Sequence, residues 1–418
     1  MSLLLLKSAT IVDAASKHHL KKRDILIENG VIRKIAASVK NDKAKKIALD
    51  NLHVSPGWFD SSVSFGEPGF EERETISNGL RTAALSGFTA VAVNPNTNPV
   101  ADSKAGIQFL KAKGEGNPVH LYPVGALTVR SEGVDLAELF DMHSEGAVAF
   151  GDYKKPVRNA NLLKIALQYA QNFGGLVQSM PMEPSVAKNG VMNEHVNSTL
   201  LGLKGIPSLA EELQIARDLY LLEYTGGKLH IPTVSTQAGL KLIKEAKKKG
   251  LDVSCSVSVS NLALTDDCLS DFDTNYKLLP PLRTDSDRKA LLKGLKDGTI
   301  DGVTSDHDPV DIEHKKTEFD HAMFGSIGLE SCFGALNSQI GTEASVAALV
   351  ALKDRFGIDS HSIEEGSVAE ITLFDPDQEY TFSEENILSG SKNSAFLAVR
   401  LKGKAYGIYS NKKLVLNS

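Results

Sequence analysis

Cysteine is scarce in this chain. The 418 residues include three, Cys255, Cys268 and Cys332. They are widely spaced, odd in number and form no CxxC pair, which argues against a disulfide framework and a thiolate zinc site. A dominant charge is missing too: 46 Lys and Arg stand against 52 Asp and Glu, for a net charge of −6. That balance gives no basic field for nucleic acid or an anionic membrane. The short runs "KKR" (21–23) and "KKK" (247–249) read as solvated surface. No apolar run approaches the ~18 residues of a membrane span. The opening "MSLLLL" is too short for a signal peptide's apolar region and has no small-residue cleavage site. It alternates into "KSATIVD" and reads as a first strand. Together these absences predict a protein of the reducing cytoplasm.

What is present is ordinary for a globular protein: 42% hydrophobic and 23% charged residues. The length suffices for a barrel of 200–300 residues and a smaller module. The first fifty residues alternate short strands with turns, and "ENG" (28–30) is a hairpin signal between β-rich runs. The last fifty look alike, with "AEITLFDP" and a pair of runs around "SNKK". Residues 1–52 and 366–418 are therefore expected to build one small β-sandwich. Between them, over 53–365, apolar runs of about five residues alternate with amphipathic helical segments, the mark of βα units. Eight strands can be counted: Val54 to Phe65, then "FTAVAVNP", "VHLYPVGAL", "GAVAFGD", "GGLVQSMP", "KLHIPTVS", "LDVSCSVS" and "IDGVTSD". Several helical stretches end in Gly just before the next strand. The pattern predicts an α/β fold, a (β/α)8 barrel. An open doubly wound sheet is the alternative, but no GxGxxG follows the first strand.

In such a barrel, chemistry sits at the C-terminal strand ends. Those ends offer Ser62 and Ser64, Asn94 and Asn96, Asp152, Met180 with Glu183, Thr233, Ser258 and Asp306. A zinc site needs three or four His, Cys or carboxylate ligands on one point, and only Asp152, Glu183, Asp306 and Glu67 are candidates. Asp306 in "TSDHDP" reads equally as a turn cap, and His307 as a hydrogen-bonded structural imidazole. His195 and His314 fall in loop-like segments, and strand alternation is expected to turn His230 away from the face of Thr233. Ser62 and Ser64 have no GxSxG elbow and no base nearby in sequence. They read as small residues filling a barrel rim.

The stretch "SPGWFDSSVSFGEPGFEERETISNGLRTAALSGFTAVAVNPNTNPV" (55–100) resembles the start of the dihydroorotase barrel of the amidohydrolase superfamily. That family reads PG-hydrophobic-D-x-H-x-H-x-R-E-P-G, then K-E-T-I, then GGFT…MPNTNP. "GAVAFGDYKKPV" (146–157), "KLHIPTVST" (228–236), "DTNYKLLPPLRT" (273–284) and "DGTIDGVTSDHDPV" (297–310) continue the likeness, which runs collinearly over nearly the whole chain. It implies an amidohydrolase-type barrel, a place in pyrimidine biosynthesis and a metal-bound hydroxide that opens or closes a cyclic amide. Residue by residue, however, the family's two strand-one histidines fall on Ser62 and Ser64, and its substrate arginine falls on Gly66. Its strand-four aspartates fall on Asp152 and Tyr153, its strand-five and strand-six histidines on Met180 and Thr233, and a substrate asparagine on Leu279. The later histidine of the last loop is Val310. Asp306, the family's general base, remains, with Asn96 and His307 as remnants of the substrate pocket.

On these residues the expectation is a dihydroorotase-like protein without turnover. No cofactor is expected, with room for only weak binding of a divalent ion. The resemblance, not the residues themselves, implies the expected partners: aspartate transcarbamoylase, with this chain in a structural or regulatory role, and a second copy of the chain, as a dimer. The alternatives are an active cyclic amidohydrolase with an altered metal site, and a small-molecule sensor that uses the emptied pocket.

Overall fold

The computed structural model describes residues 3–417, so the first two residues of the predicted first strand and the last residue of the chain lie outside it. Eight parallel strands form the body: β1 (Trp58–Val63), β2 (Phe88–Val93), β3 (His120–Gly125), β4 (Ala149–Phe150), β5 (Leu176–Gln178), β6 (Lys228–Ile231), β7 (Val253–Ser258) and β8 (Gly302–Thr304). They hydrogen-bond in chain order from β1 to β8. Short, largely buried strands of this kind are what helices on the outer face of a parallel sheet require. Just past β8, His307 bridges back to Val63, and the Ser64 amide donates to the His307 carbonyl at 2.8 Å. Asp60, wholly buried on β1, accepts from the Thr304 hydroxyl and, at 3.1 Å, from the Ser305 amide. The sheet is thereby nearly closed into a barrel.

The helices begin where short polar side chains can take up free amides. Asn159 caps Ala160–Ala170, Thr236 caps Gln237–Lys248 and Thr284 caps Asp285–Lys296. Gly226 ends Ser208–Thr225 with φ +70°. Among the described residues no helix is long and apolar enough to cross a membrane.

Both ends of the chain enter a second, mainly antiparallel eight-stranded sheet. Its order is Lys413–Leu416, Arg400–Ser410, Ile371–Thr381, His53–Pro56, Leu3–Ile11, Lys22–Glu28 and Val31–Ala36, with Lys45–Ile47 beside Leu3–Ile11. Leu4, Leu6, Ile25, Ile27, Val54, Ile371 and Leu373 fill its core. The predicted "ENG" turn is there: Asn29 and Gly30 both have positive φ, and Glu28 faces Val31 across the hairpin, as a two-residue primed turn demands.

One predicted element is two. The strand read as Val54 to Phe65 breaks at Gly57: His53–Pro56 pairs within the terminal sheet, and only Trp58–Val63 belongs to the barrel. A Cβ on Gly57 would lie 2.1 Å from the Thr89 hydroxyl oxygen. Glycine is what lets the chain pass that close while crossing from one sheet to the other.

Candidate functional site

The C-terminal ends of the barrel strands form a polar mouth, beside a cavity of about 460 Å³ lined in part by Arg73, Asn96, Asp152, Tyr153, Lys154 and Asp308. Ser62 lies near the end of β1 and is held from two sides: its hydroxyl accepts from the Asn94 amide group at 3.0 Å and reaches Asp306 at 3.4 Å. The Ser64 hydroxyl donates to Asn96 Oδ1 at 3.0 Å. Each serine is thus tied into a hydrogen-bonded rim, with no imidazole among these partners.

Asp152, at the end of β4, has both oxygens spoken for. It accepts from the amides of Leu127 and Thr128 at 2.9 and 3.0 Å and from the Thr128 hydroxyl at 2.5 Å. Burial pushes its carboxyl above the ordinary range, against these hydrogen bonds. It pins the loop after β3. Met180 and Thr233 are buried at the ends of β5 and β6, and the Thr233 amide donates to the Ser256 hydroxyl at 3.3 Å. Glu67 and Glu183 are engaged elsewhere. Glu67 accepts from the Ile76 amide and pairs with Lys113, while Glu183 caps Pro184–Ala187. His195 begins the helix Val196–Leu201, and His314 bonds Asp311 at 2.7 Å.

His307 is fully buried, and its Nδ1 accepts from the amides of Gly328 and Leu329 at 3.2 and 3.4 Å. It therefore receives the N-terminus of the helix Leu329–Ile340, as a structural imidazole would. His230 hydrogen-bonds the hydroxyls of Ser254 and Ser256 at 2.8 and 3.2 Å. Through Ser256 it shares a partner with Thr233, a link that strand alternation alone does not suggest.

The residue that dominates the mouth is one that sequence reasoning passed over. Lys154, two residues past Asp152, places its ammonium 3.1 Å from Asp306 Oδ2 and 3.0 Å from Asp308 Oδ2, and 5.0 Å from the ring centre of Tyr153. Only 13% of the Lys154 and Asp306 side chains is exposed. Burial pulls the ammonium down, but the two carboxylates hold it well above the usual lysine range. Burial pushes Asp306 up to about 6, with Lys154 opposing and Asp308 reinforcing the rise. The signal in the sequence was "DYKK" directly after a strand end, but its carboxylate partners lie some 150 residues further on. Tyr153, Thr233 and Asp306 also share a left-handed backbone, with φ of 55°, 49° and 49°. Such a conformation costs ~1–3 kcal/mol each and persists only where the surroundings impose it.

Comparison with known proteins accounts for this frame. The family model described as dihydro-orotase-like matches residues 52–239. The dihydroorotase of Pelotomaculum thermopropionicum is 40% identical over 99% of this chain and 98% of its own length. The chain belongs to the dihydroorotase family. The dihydroorotase of Geobacter metallireducens is 42% identical, over 91% of this chain and 92% of its own. Among solved structures, the L-hydantoinase (dihydropyrimidinase) from Arthrobacter aurescens superposes with a TM-score of 0.85 at 21% identity, covering 100% of this chain and 96% of that one. That likeness carries the fold, an amidohydrolase barrel. Family membership places the chain, at that level, in pyrimidine biosynthesis.

Membership also corrects one expectation. A dihydroorotase-family chain cannot be taken as cofactor-free, because the family's chemistry is that of metal-dependent amidohydrolases; a metal is what the family implies. The residues at the family's ligand positions here, two serines, a thioether, a threonine, a fully hydrogen-bonded Asp152 and an ion-paired Asp306, do not fit that ion. Among the described residues no three His, Cys, Asp or Glu side chains gather in a way that could hold a metal.

Proposed function

We propose that this dihydroorotase-family protein serves pyrimidine biosynthesis as a folded partner rather than as a turnover catalyst at its barrel mouth. Aspartate transcarbamoylase, which makes the carbamoyl aspartate that dihydroorotases close into a ring, is the proposed partner. The observation that carries the reading is the Lys154 ammonium seated between Asp306 and Asp308. A general base must be free to take a proton from water or substrate, and Asp306 is here a counter-ion. The hydroxyls of Ser62 and Ser64 are likewise spent on Asn94, Asp306 and Asn96. What the mouth retains, the left-handed strand ends and the pinned loops, supports shape rather than proton transfer.

A second reading has its own support: identity of 40% over 99% of the chain to a curated dihydroorotase. On that reading Asp306, pushed up to about 6, is the base of an active cyclic amidohydrolase with an altered metal site. One experiment separates the two. Purified protein is assayed in both directions, dihydroorotate to carbamoyl aspartate and back, with and without added Zn²⁺, Mn²⁺ or Mg²⁺, while its metal content is measured. The proposal expects no turnover above that of Asp306→Asn and co-purification with aspartate transcarbamoylase. Turnover of ~1 s⁻¹ or more, lost in Asp306→Asn, selects the second reading.

A further inference from the structure

Ser86, Glu330 and Lys404 come from three separate elements and meet where the barrel adjoins the terminal sheet. Ser86 ends the helix Ile76–Leu85, Glu330 stands in the first turn of Leu329–Ile340, and Lys404 belongs to the strand Arg400–Ser410. With Tyr380 they line a cavity of about 260 Å³ that shares no residue with the one at the barrel mouth. Glu330 is fixed by one of its oxygens: Oε1 accepts from the amides of Leu388 and Ser389 at 3.2 and 3.0 Å and from the Ser389 hydroxyl at 2.6 Å. Its Oε2 is buried and has no partner among the described residues, and the same holds for the hydroxyl of Ser86, a residue only 7% exposed. The Lys404 ammonium lies over the Tyr380 ring, 5.6 Å from its centre, and is not ion-paired among the described residues. Burial pushes the Tyr380 hydroxyl up to about 12, so it stays protonated and can donate.

A buried carboxylate oxygen and a buried hydroxyl are costly without hydrogen bonds, and an ammonium, with three N–H groups, can supply both. Lys404 and Tyr380 offer only donors and call for a charged acceptor. A molecule that carries an ammonium and a carboxylate together meets both demands. The volume equals that of about nine waters at ~30 Å³ each, room for a small amino acid. Glu385, also in the lining, is exposed. It makes the side chains of the cavity net negative, which disfavours a ligand with an acidic side chain. We propose that this cavity binds a small neutral α-amino acid, its ammonium on Glu330 and Ser86 and its carboxylate on Lys404 and Tyr380. The ligand ties two barrel helices to the terminal sheet, a junction of the kind where small-molecule sites are common.

Thermal unfolding and titration calorimetry of the full chain with glycine, L-alanine and L-serine test the assignment. At about 10 mM, roughly 100 times the expected dissociation constant, at least one of the three should raise Tm by ~3 °C. Ethylamine and propionate, which carry one charge each, should not, and neither should glycine betaine, which keeps both charges but has no N–H to donate. Glu330→Gln keeps an acceptor for Leu388 and Ser389, and it should weaken binding at least tenfold, as should Lys404→Met. Should either variant fold poorly, the comparison of whole and half ligands on the wild type decides alone. No shift and no heat with any of the three amino acids overturns the proposal. So does a shift matched by glycine betaine or by either half ligand, or one that survives both substitutions. A crystal structure grown with the amino acid that shows only water between Glu330 and Lys404 also overturns it.

Discussion

Lys154 shows how one side chain sets the character of a site. An ammonium and two carboxylates share a region from which most water is excluded, so each depends on the others for its charge. Replacing Lys154 by Ala leaves Asp306 and Asp308 without their cation. The loss is expected to be ~3–5 kcal/mol, read as a lowered urea midpoint. In Lys154→Ala/Asp306→Asn, with one of the orphaned charges gone, the two losses are expected not to add, with a coupling above ~1 kcal/mol. Strict additivity would show that the pair is not a unit. None of this was legible from the residues alone. Ser62, Ser64, Met180 and Thr233 could be read at the family's positions because motif spacing is local, but an ion pair between strand ends four and eight is a product of barrel closure.

His230 supplies a pH dependence of known sign. Burial, reinforced by the positive charges of Arg355 and Lys247, lowers its pKa from 6.5 to about 3. The unfolded chain takes up a proton below 6.5 and the folded one does not, so this stability is present above pH 6.5 and lost as pH falls. Between pH 7.5 and pH 5 the loss from this group is ~2 kcal/mol. Urea titrations at both values, compared with His230→Gln, isolate it: the wild type is expected to lose ~2 kcal/mol more than the variant. Equal losses would mean that the buried imidazole, held by Ser254 and Ser256, titrates normally.

At the scale of elements, period and punctuation carried most of the fold. Eight apolar runs separated by capped helices became eight strands, because a strand buried on both faces and an amphipathic helix have different periods. The break at Gly57 was invisible for a physical reason. Apart from Asp60, residues 54–63 are apolar or small, and pairing with Ile371–Thr381, which divides them, is made more than 300 residues away. Gly57→Val tests the hinge. Its side chain would collide with Thr89, and overpacking of this kind costs ~1–3 kcal/mol. Gly57→Val/Thr89→Ala is expected to recover at least half of the loss. No recovery would place the cost in the backbone rather than in the contact.

For the whole molecule, the question is whether barrel and terminal sheet are separable. The only tryptophan of the chain, Trp58, answers it by position. It opens β1 and is fully buried. Its ring centre is 4.6 Å from that of Phe333 on the helix Leu329–Ile340, 5.5 Å from Phe374 of the terminal sheet and 6.0 Å from Phe88 of β2. The indole Nε1 donates to the Ser55 hydroxyl at 2.9 Å, on the terminal-sheet side of the Gly57 break. Neither unit can lose its fold without exposing this cluster, and burying a large aromatic side chain stabilises by ~3–5 kcal/mol as judged from its truncation. The two are therefore expected to unfold as one. Trp58 fluorescence, reporting the junction, and far-ultraviolet circular dichroism, reporting helices far from it, should give the same urea midpoint. Phe374→Ala is expected to move both together by an amount equivalent to ~3 kcal/mol or more. A fluorescence transition that precedes the dichroism, in the wild type or in the variant, would show a terminal sheet that detaches from a surviving barrel.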